Sequence, residues 1–168
     1  LSREAAPKLM VAATYDLNNN AVKTRSNMGS YMFNDTGLYQ TNISTLFLDF
    51  MFKYNGFSLM GEYANRDADN PIAVNSDNTE TGDVVQVGRG LNLQSGYLFN
   101  DNWEVSARYT NIKLDYGITG KTPETQYTLG LSKYFVGHKL KVQTDLSYTT
   151  VRGNQDNITF RLGFDLHF

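Results

Sequence analysis

Apolar and polar side chains alternate along most of this chain with the period of two residues that is typical of β-strands. The clearest segment runs from Asp156 to Phe168. Its apolar positions are Ile158, Phe160, Leu162, Phe164, Leu166 and Phe168, and its polar positions are Asn157, Thr159, Arg161, Gly163, Asp165 and His167. This alternation predicts a strand with one apolar and one polar face.

Seven earlier segments alternate in the same way and predict seven more strands. They span residues 8–18, 41–54, 57–67, 85–99, 103–113, 125–136 and 138–150. A strand of about ten residues is long enough to cross a bilayer at a tilt. The predicted fold class is all-β, with about eight antiparallel strands in a single domain over residues 1–168.

The connections between these segments alternate between tight and long. The tight ones lie at Asn55-Gly56, at Asn100-Asp101-Asn102 and at Gly137, and Asn-Gly is a strong signal for a two-residue hairpin. The long ones cover roughly 19–40, 68–84 and 114–124, and they are rich in polar and glycine residues. Outer-membrane barrels have short turns at the periplasmic end and long loops at the external end.

One stretch of the first long connection, Met28 to Phe33, is too apolar for a freely solvated loop. We expect it to pack against the rim of the barrel or against a partner chain. The alternative is that it extends the flanking strands upward.

The composition supports a transmembrane barrel over other membrane proteins. No apolar run approaches the roughly 20 residues of a membrane-spanning helix, and the mean hydropathy is only −0.42. Barrel strands have low mean hydropathy because lipid-facing and lumen-facing residues alternate. A soluble β-sandwich would alternate too, but with its apolar face inward.

Aromatic residues decide between these two interpretations. The apolar face collects aromatic side chains near the strand ends, as the interfacial girdles of barrels do. These residues are Phe57, Tyr97, Phe99, Trp103, Tyr127, Phe135 and Tyr148. The chain also stops on Phe168 at an apolar position, which we interpret as an assembly signal. The predicted location is the bacterial outer membrane.

Several other functions are disfavoured. The absence of cysteine removes thiolate metal sites, and the two histidines are far apart in sequence. A net charge of −2 argues against a nucleic-acid partner. Neither His138 nor His167 has a nucleophile motif nearby, and Gly88-Arg89-Gly90 is not a phosphate loop. We therefore expect no enzyme activity, no cofactor and no metal.

Four stretches of the chain resemble a known family. The hairpin Gln94-Ser95-Gly96-Tyr97 followed by Trp103-Glu104-Val105-Ser106-Ala107-Arg108-Tyr109 resembles the phosphate-selective porin O and P family, in the style of its Bacteroidetes-type members. Pro7-Lys8-Leu9-Met10, Tyr127-Thr128-Leu129-Gly130-Leu131 and Ile158-Thr159-Phe160-Arg161 are similar to other strands of that family.

The resemblance implies that the chain is the C-terminal half of a 16-stranded porin that passes small hydrophilic solutes and ions, including anions such as phosphate. The first residue is not methionine, so we expect either a removed signal or a start within a longer protein. The implied partners are outer-membrane lipid, small ions and solutes, and a homotrimer or another outer-membrane protein. The alternative function is a closed eight-stranded barrel that acts as a membrane anchor or adhesion scaffold.

The polar faces predict the residues that would line a pore. They are Asp49, Lys53, Glu62, Arg66, Glu104, Arg108, Lys141, Asp145, Arg161 and Asp165. Arg108 and Arg161 could form a basic track for anions, because guanidinium groups bind oxyanions in two places and stay charged. Alternatively, these arginines pair with Glu62, Glu104 or Asp49 and hold the wall together. Basic and acidic residues nearly balance, so we expect weak ionic preference.

Overall fold

The computed structural model describes residues 3–136 and 139–167, so the predicted turn at Gly137, His138 and the predicted assembly signal Phe168 lie outside the described residues. In chain order the elements are β1 (Lys8–Ala21), β2 (Lys23–Arg25), β3 (Met28–Tyr31), β4 (Phe33–Asn34), β5 (Gly37–Leu38), β6 (Thr41–Tyr54), β7 (Phe57–Ala68), β8 (Ile72–Val74), β9 (Glu80–Val84), β10 (Gly88–Leu98), β11 (Trp103–Leu114), α1 (Tyr116–Thr119), β12 (Glu124–Tyr134), β13 (Leu140–Val151) and β14 (Asn157–Leu166).

Eight of these strands form one antiparallel sheet in the order β1-β6-β7-β10-β11-β12-β13-β14. Each long strand therefore pairs with the next long strand along the chain, as hairpin connections require. The eight predicted strands and the all-β class are confirmed. The strand predicted over 85–99 begins only at Gly88, because Val85 and Val87 are buried among loop residues instead of pairing in the sheet.

The connections place short turns at one end of the sheet, the short-turn end, and the longer loops at the other, the long-loop end. Asn55 and Gly56 join β6 to β7 with φ values of 45° and 85°. Two successive positive φ angles are the geometry of a type I′ turn, whose twist matches that of the flanking strands. The hairpin predicted from this dipeptide is therefore present.

The long loops contain small hairpins of their own, which pair β2 with β3, β4 with β5, and β8 with β9. A compact set of apolar residues, the loop cluster, lies beneath them. It consists of Ala21, Met32, Ile43, Val85 and Val87, with Tyr39, Ala68 and Ile118 packed against it. Hydrogen bonds tie the loops together, among them Phe33 N to Asp83 Oδ2 at 2.9 Å and Gln86 N to Thr24 O at 2.8 Å.

One residue of the apolar Met28–Phe33 stretch is buried, as predicted. Met32 is fully buried in the loop cluster, whereas Met28 is 70% exposed and Tyr31 and Phe33 are also exposed. The difference arises because Met32 packs against Ile43 and Val85 in the loop cluster, whereas Met28–Tyr31 forms an exposed strand of a loop hairpin. Packing within this chain is therefore confirmed for Met32 and is not found for Met28, Tyr31 and Phe33. Packing of these three side chains against a partner chain stays a prediction.

The loop cluster predicts the effect of truncating Met32. Replacing a buried methionine with alanine costs about 2–5 kcal/mol, so Met32→Ala should loosen the first long loop and speed protease cleavage within residues 22–40. Limited proteolysis of the assembled protein, followed by mass spectrometry, measures this rate. Met28→Ala is the matched control, because it removes the same atoms from an exposed position. Equal cleavage of the two variants would contradict the packing.

The outer edges of the sheet are formed by β1 and β14. In the ranges 3–136 and 139–167, β1 is paired with β6 and β14 with β13, and these two edge strands are not paired with each other. A closed eight-stranded barrel needs that pairing. No helix within the same ranges is long and apolar enough to cross a membrane.

Candidate functional site

The register of the sheet sorts the side chains onto two faces, because neighbours directly across a ladder point to the same side. Asp49 lies opposite Glu62, and Arg108 lies opposite Thr128. All ten residues predicted to line a pore fall on one side, the polar face. They are Asp49, Lys53, Glu62, Arg66, Glu104, Arg108, Lys141, Asp145, Arg161 and Asp165.

The opposite side, the apolar face, is exposed. Val11 is 71% exposed and Phe164 is 68% exposed, and most large apolar side chains between them along the sheet are also exposed. A compact protein of 19.0 kDa would expose roughly 8,400 Å², whereas this chain exposes 10952 Å². A row of exposed apolar side chains that continues across neighbouring strands marks a face that meets a partner or a membrane.

Aromatic side chains border the apolar face at both ends. At the short-turn end, Tyr97 and Phe99 pack edge to face with ring centroids 4.9 Å apart, and Lys133 Nζ lies 4.9 Å from the centre of the Trp103 ring. Toward the long-loop end, Tyr109 and Tyr127 lie in contact with centroids 5.3 Å apart. The predicted girdle residues are all exposed: Phe57, Tyr97, Phe99, Trp103, Tyr127, Phe135 and Tyr148.

The two arginines of the predicted basic track have different surroundings. Arg161 Nε donates to Asp145 Oδ1 at 3.0 Å, and Arg161 Nη2 donates to Ser147 Oγ at 3.1 Å. Ser147 in turn lies 2.9 Å from Thr128 Oγ1, so a buried hydroxyl pair supports the ion pair from beside it. Arg161 is thus neutralised by a neighbour across the ladder, although by Asp145 and not by the partners expected from sequence.

Arg108 forms no ion pair with a carboxylate within the described residues. Its Nε atom is buried and has no hydrogen-bond partner there. Its neighbours across the two ladders are Gln94 and Thr128, which are neutral. Of the two arginines of the predicted track, Arg108 is the one without a carboxylate partner in this part of the chain.

Asp49 and Glu62 form an acidic pair directly opposite each other on β6 and β7. Glu62 Oε2 accepts a hydrogen bond of 2.9 Å from Asn92 Nδ2, and Asn92 Oδ1 accepts one of 3.1 Å from Thr110. Neither carboxylate has a cationic partner within the described part of the chain. The ladders align this pair with Thr110, so its negative charge lies two residues closer to the long-loop end than Arg108.

The remaining predicted residues are spread along the polar face. Lys141 lies opposite Asp165 in the ladder, and its Nζ is 5.2 Å from the centre of the Tyr134 ring. Glu104 accepts a hydrogen bond from Tyr134. A polar depression of about 180 Å³ brings together four predicted residues: Glu104, Arg108, Lys141 and Asp145. Lys53 and Arg66 lie farther along the face, and Arg66 Nε is 3.4 Å from Thr45 Oγ1.

Three further charged residues on the polar face were missed from the sequence. Lys8 lies opposite Lys53, Asp16 opposite Thr45, and Glu124 opposite Ile112. Lys8 also pairs with Glu4 at 2.7 Å. The alternation that placed the other ten residues applies equally to Lys8 and Asp16 in the first strand, so extending it through that segment would have found them.

The loops cover the polar face at the long-loop end. Thr41, Ile43 and Thr45 point to this face and are all buried, whereas Asn42, between the first two, points to the other face and is exposed. The loop cluster therefore lies over the polar side of β6 and not over its apolar side.

No protein-family model, no curated protein and no solved structure matches this chain. Within the described residues, no three histidine or carboxylate side chains come together as a metal site would require.

Proposed function

We propose that this sheet is part of the wall of an outer-membrane porin, with the polar face toward an aqueous lumen and the apolar face toward lipid. The observation that carries the proposal is the exposed apolar face with aromatic borders, opposite a face that holds the charged residues. In water such a face would be costly, at about 25 cal/mol for each square ångström of apolar surface. In a bilayer it is the expected surface of a barrel.

The proposal extends to a larger barrel, with this chain as the C-terminal half of a 16-stranded porin. Two edge strands that are not paired with each other leave donors and acceptors that lipid cannot satisfy, so strands in a bilayer must be paired on both sides. Additional strands between β14 and β1 would supply that pairing. An eight-stranded barrel would instead be filled by its own side chains and would not conduct.

The solutes would be small hydrophilic molecules and ions, with weak preference between anions and cations. Arg108 favours anions, and the Asp49–Glu62 pair, whose row in the ladder is offset by two residues, favours cations. Asp145 and Arg161 cancel each other. Phosphate would therefore pass as one anion among others, without the clearly basic lumen that strong phosphate selectivity calls for.

Conductance of the natural full-length protein tests this function. Purified protein inserted into planar phosphatidylcholine bilayers should produce stepwise, ohmic current increases in potassium chloride. Insertion is verified separately, by protection of strand residues from external protease in vesicles. Inserted protein that carries no current would contradict the porin function and favour the membrane anchor, whereas absence of insertion would contradict both.

A further inference from the structure

A row of basic residues borders the apolar face at the long-loop end. Arg89 and Lys113 lie directly opposite each other on β10 and β11, and both are exposed. Arg152, just after β13, is also exposed, and its N–H donates to Pro123 O at 3.3 Å as a continuation of the β12–β13 ladder. We call Arg89, Lys113 and Arg152 the cationic row.

The cationic row lies closer to the long-loop end than the large apolar side chains of the same face. Below it, Asn111 Nδ2 donates to Thr125 Oγ1 at 2.9 Å, which forms a polar step on the same face. Below that step, Tyr109, Tyr127 and Tyr148 lie opposite one another on three adjacent strands. Toward the long-loop end, the side chains of this face therefore change from apolar to tyrosine, then to amide and hydroxyl, and then to cationic. A bilayer changes in the same order from acyl chains to headgroups.

The charges of this row are unpaired within the described residues. None of the three residues forms an ion pair with a carboxylate in ranges 3–136 and 139–167. Like charges placed directly opposite each other on a sheet are unfavourable without a counterion. Two acids lie on the same side of this rim. Asp67 is two residues beyond Asn65, the neighbour of Arg89 on β7, and Asp115 uses Oδ1 to cap α1 by accepting the Ile118 N–H at 3.3 Å.

A hollow of about 720 Å³ lies beside the row, between the α1 loop and the end of β13. Lys113 and Arg152 line it together with Asp115, Tyr116 and Pro123. The hollow is large enough to take a phosphate group and part of the sugar or glycerol that bears it. Lysine and arginine are the side chains that bind phosphate oxygens, and basic clusters at a membrane surface bind anionic headgroups.

We infer that the cationic row binds the phosphate of a lipid headgroup in the external leaflet. This inference rests on the proposed membrane location. A lipid is the ligand, and not free phosphate, because the row is continuous with the apolar face, so that acyl chains would lie on the surface below while the phosphate meets the cations.

Native mass spectrometry of the full-length protein in zwitterionic detergent tests the inference, with phosphatidic acid and phosphatidylcholine as probes. Wild-type protein should retain phosphatidic acid preferentially. The triple variant Arg89→Gln, Lys113→Gln, Arg152→Gln should lose most of that preference, by roughly tenfold or more, since each basic residue near a membrane surface contributes measurably to anionic lipid binding. Its conductance should be unchanged, because the row lies outside the proposed lumen.

The control variant Lys53→Gln, Arg108→Gln, Lys141→Gln removes the same charge from the polar face and should keep the lipid preference. Equal retention of both lipids by wild-type protein, or a loss of preference in the control alone, would overturn the inference while leaving the porin function intact. Displacement of phosphatidic acid by excess inorganic phosphate would show that the row binds free phosphate, and would contradict a lipid as the ligand. Failure of the wild-type protein to insert into vesicles would contradict both this inference and the proposed porin function.

Discussion

Replacing Gly88 with alanine should strongly reduce the amount of correctly assembled sheet. Gly88 has φ of +133°, and a Cβ there would lie 2.5 Å from Leu114 Cα and 2.6 Å from Lys113 O. Both contacts are with backbone of the paired strand, which cannot move without breaking the β10–β11 ladder. Backbone strain and overpacking together should cost roughly 2–6 kcal/mol.

Gly90 provides a matched control for this prediction. It lies two residues along the same strand and on the same face, but a Cβ added there meets nothing within 4 Å. Gly90→Ala should therefore assemble like the wild type. Urea unfolding of the protein in vesicles, followed by tryptophan fluorescence, compares the free energies of unfolding. Similar stability of the two variants would show that the β10–β11 contact at Gly88 is not as close as described.

Neutralising the acidic pair should shift ionic selectivity toward anions. Asp49 and Glu62 face each other without a cationic partner among the described residues. Two unit charges 4 Å apart interact by about 1 kcal/mol even in water, so each carboxylate should influence a passing ion by a comparable amount. The double variant Asp49→Asn, Glu62→Gln should therefore raise the anion-to-cation permeability ratio by about fivefold or more.

Two further variants sharpen this test. Arg108→Gln should shift the ratio toward cations, because Arg108 has no neutralising carboxylate in the part of the chain that is described. Asp145→Asn with Arg161→Gln removes a bonded ion pair without changing the net charge, so it should leave the ratio nearly constant. Reversal potentials across a potassium chloride gradient measure all three. A strong wild-type anion preference that Arg108→Gln abolishes would contradict weak selectivity and support a phosphate channel.

The strands and their two faces could be predicted from the sequence because the signal for them is local. Alternation with a period of two places Asp49 and Arg108 on a polar face without any knowledge of the neighbouring strands. The strand predicted over 41–54 agrees with β6 at both ends. The turn at Asn55-Gly56 could also be predicted, since few residues other than asparagine and glycine adopt two successive positive φ angles.

The packing of the loops could not be predicted from the local sequence pattern. An apolar run such as Met28–Phe33 indicates that something is buried, but not which residue. Met32 is buried because the hairpin before it and the loop that holds Val85 meet over Ile43. That contact joins residues more than fifty positions apart, so it depends on how β6, β7 and β10 are paired.

Charge pairing across the sheet likewise required the three-dimensional arrangement. Sequence placed Arg161 and Arg108 on one face as equivalent members of a basic track, yet the register sets Arg161 opposite Asp145 and Arg108 opposite the neutral Thr128. Arg89, Lys113 and Arg152 lie on three separate segments and come to one rim only through the ladders. A side chain's face follows from its own strand's period, whereas its partners follow from register, which is a property of strand pairs.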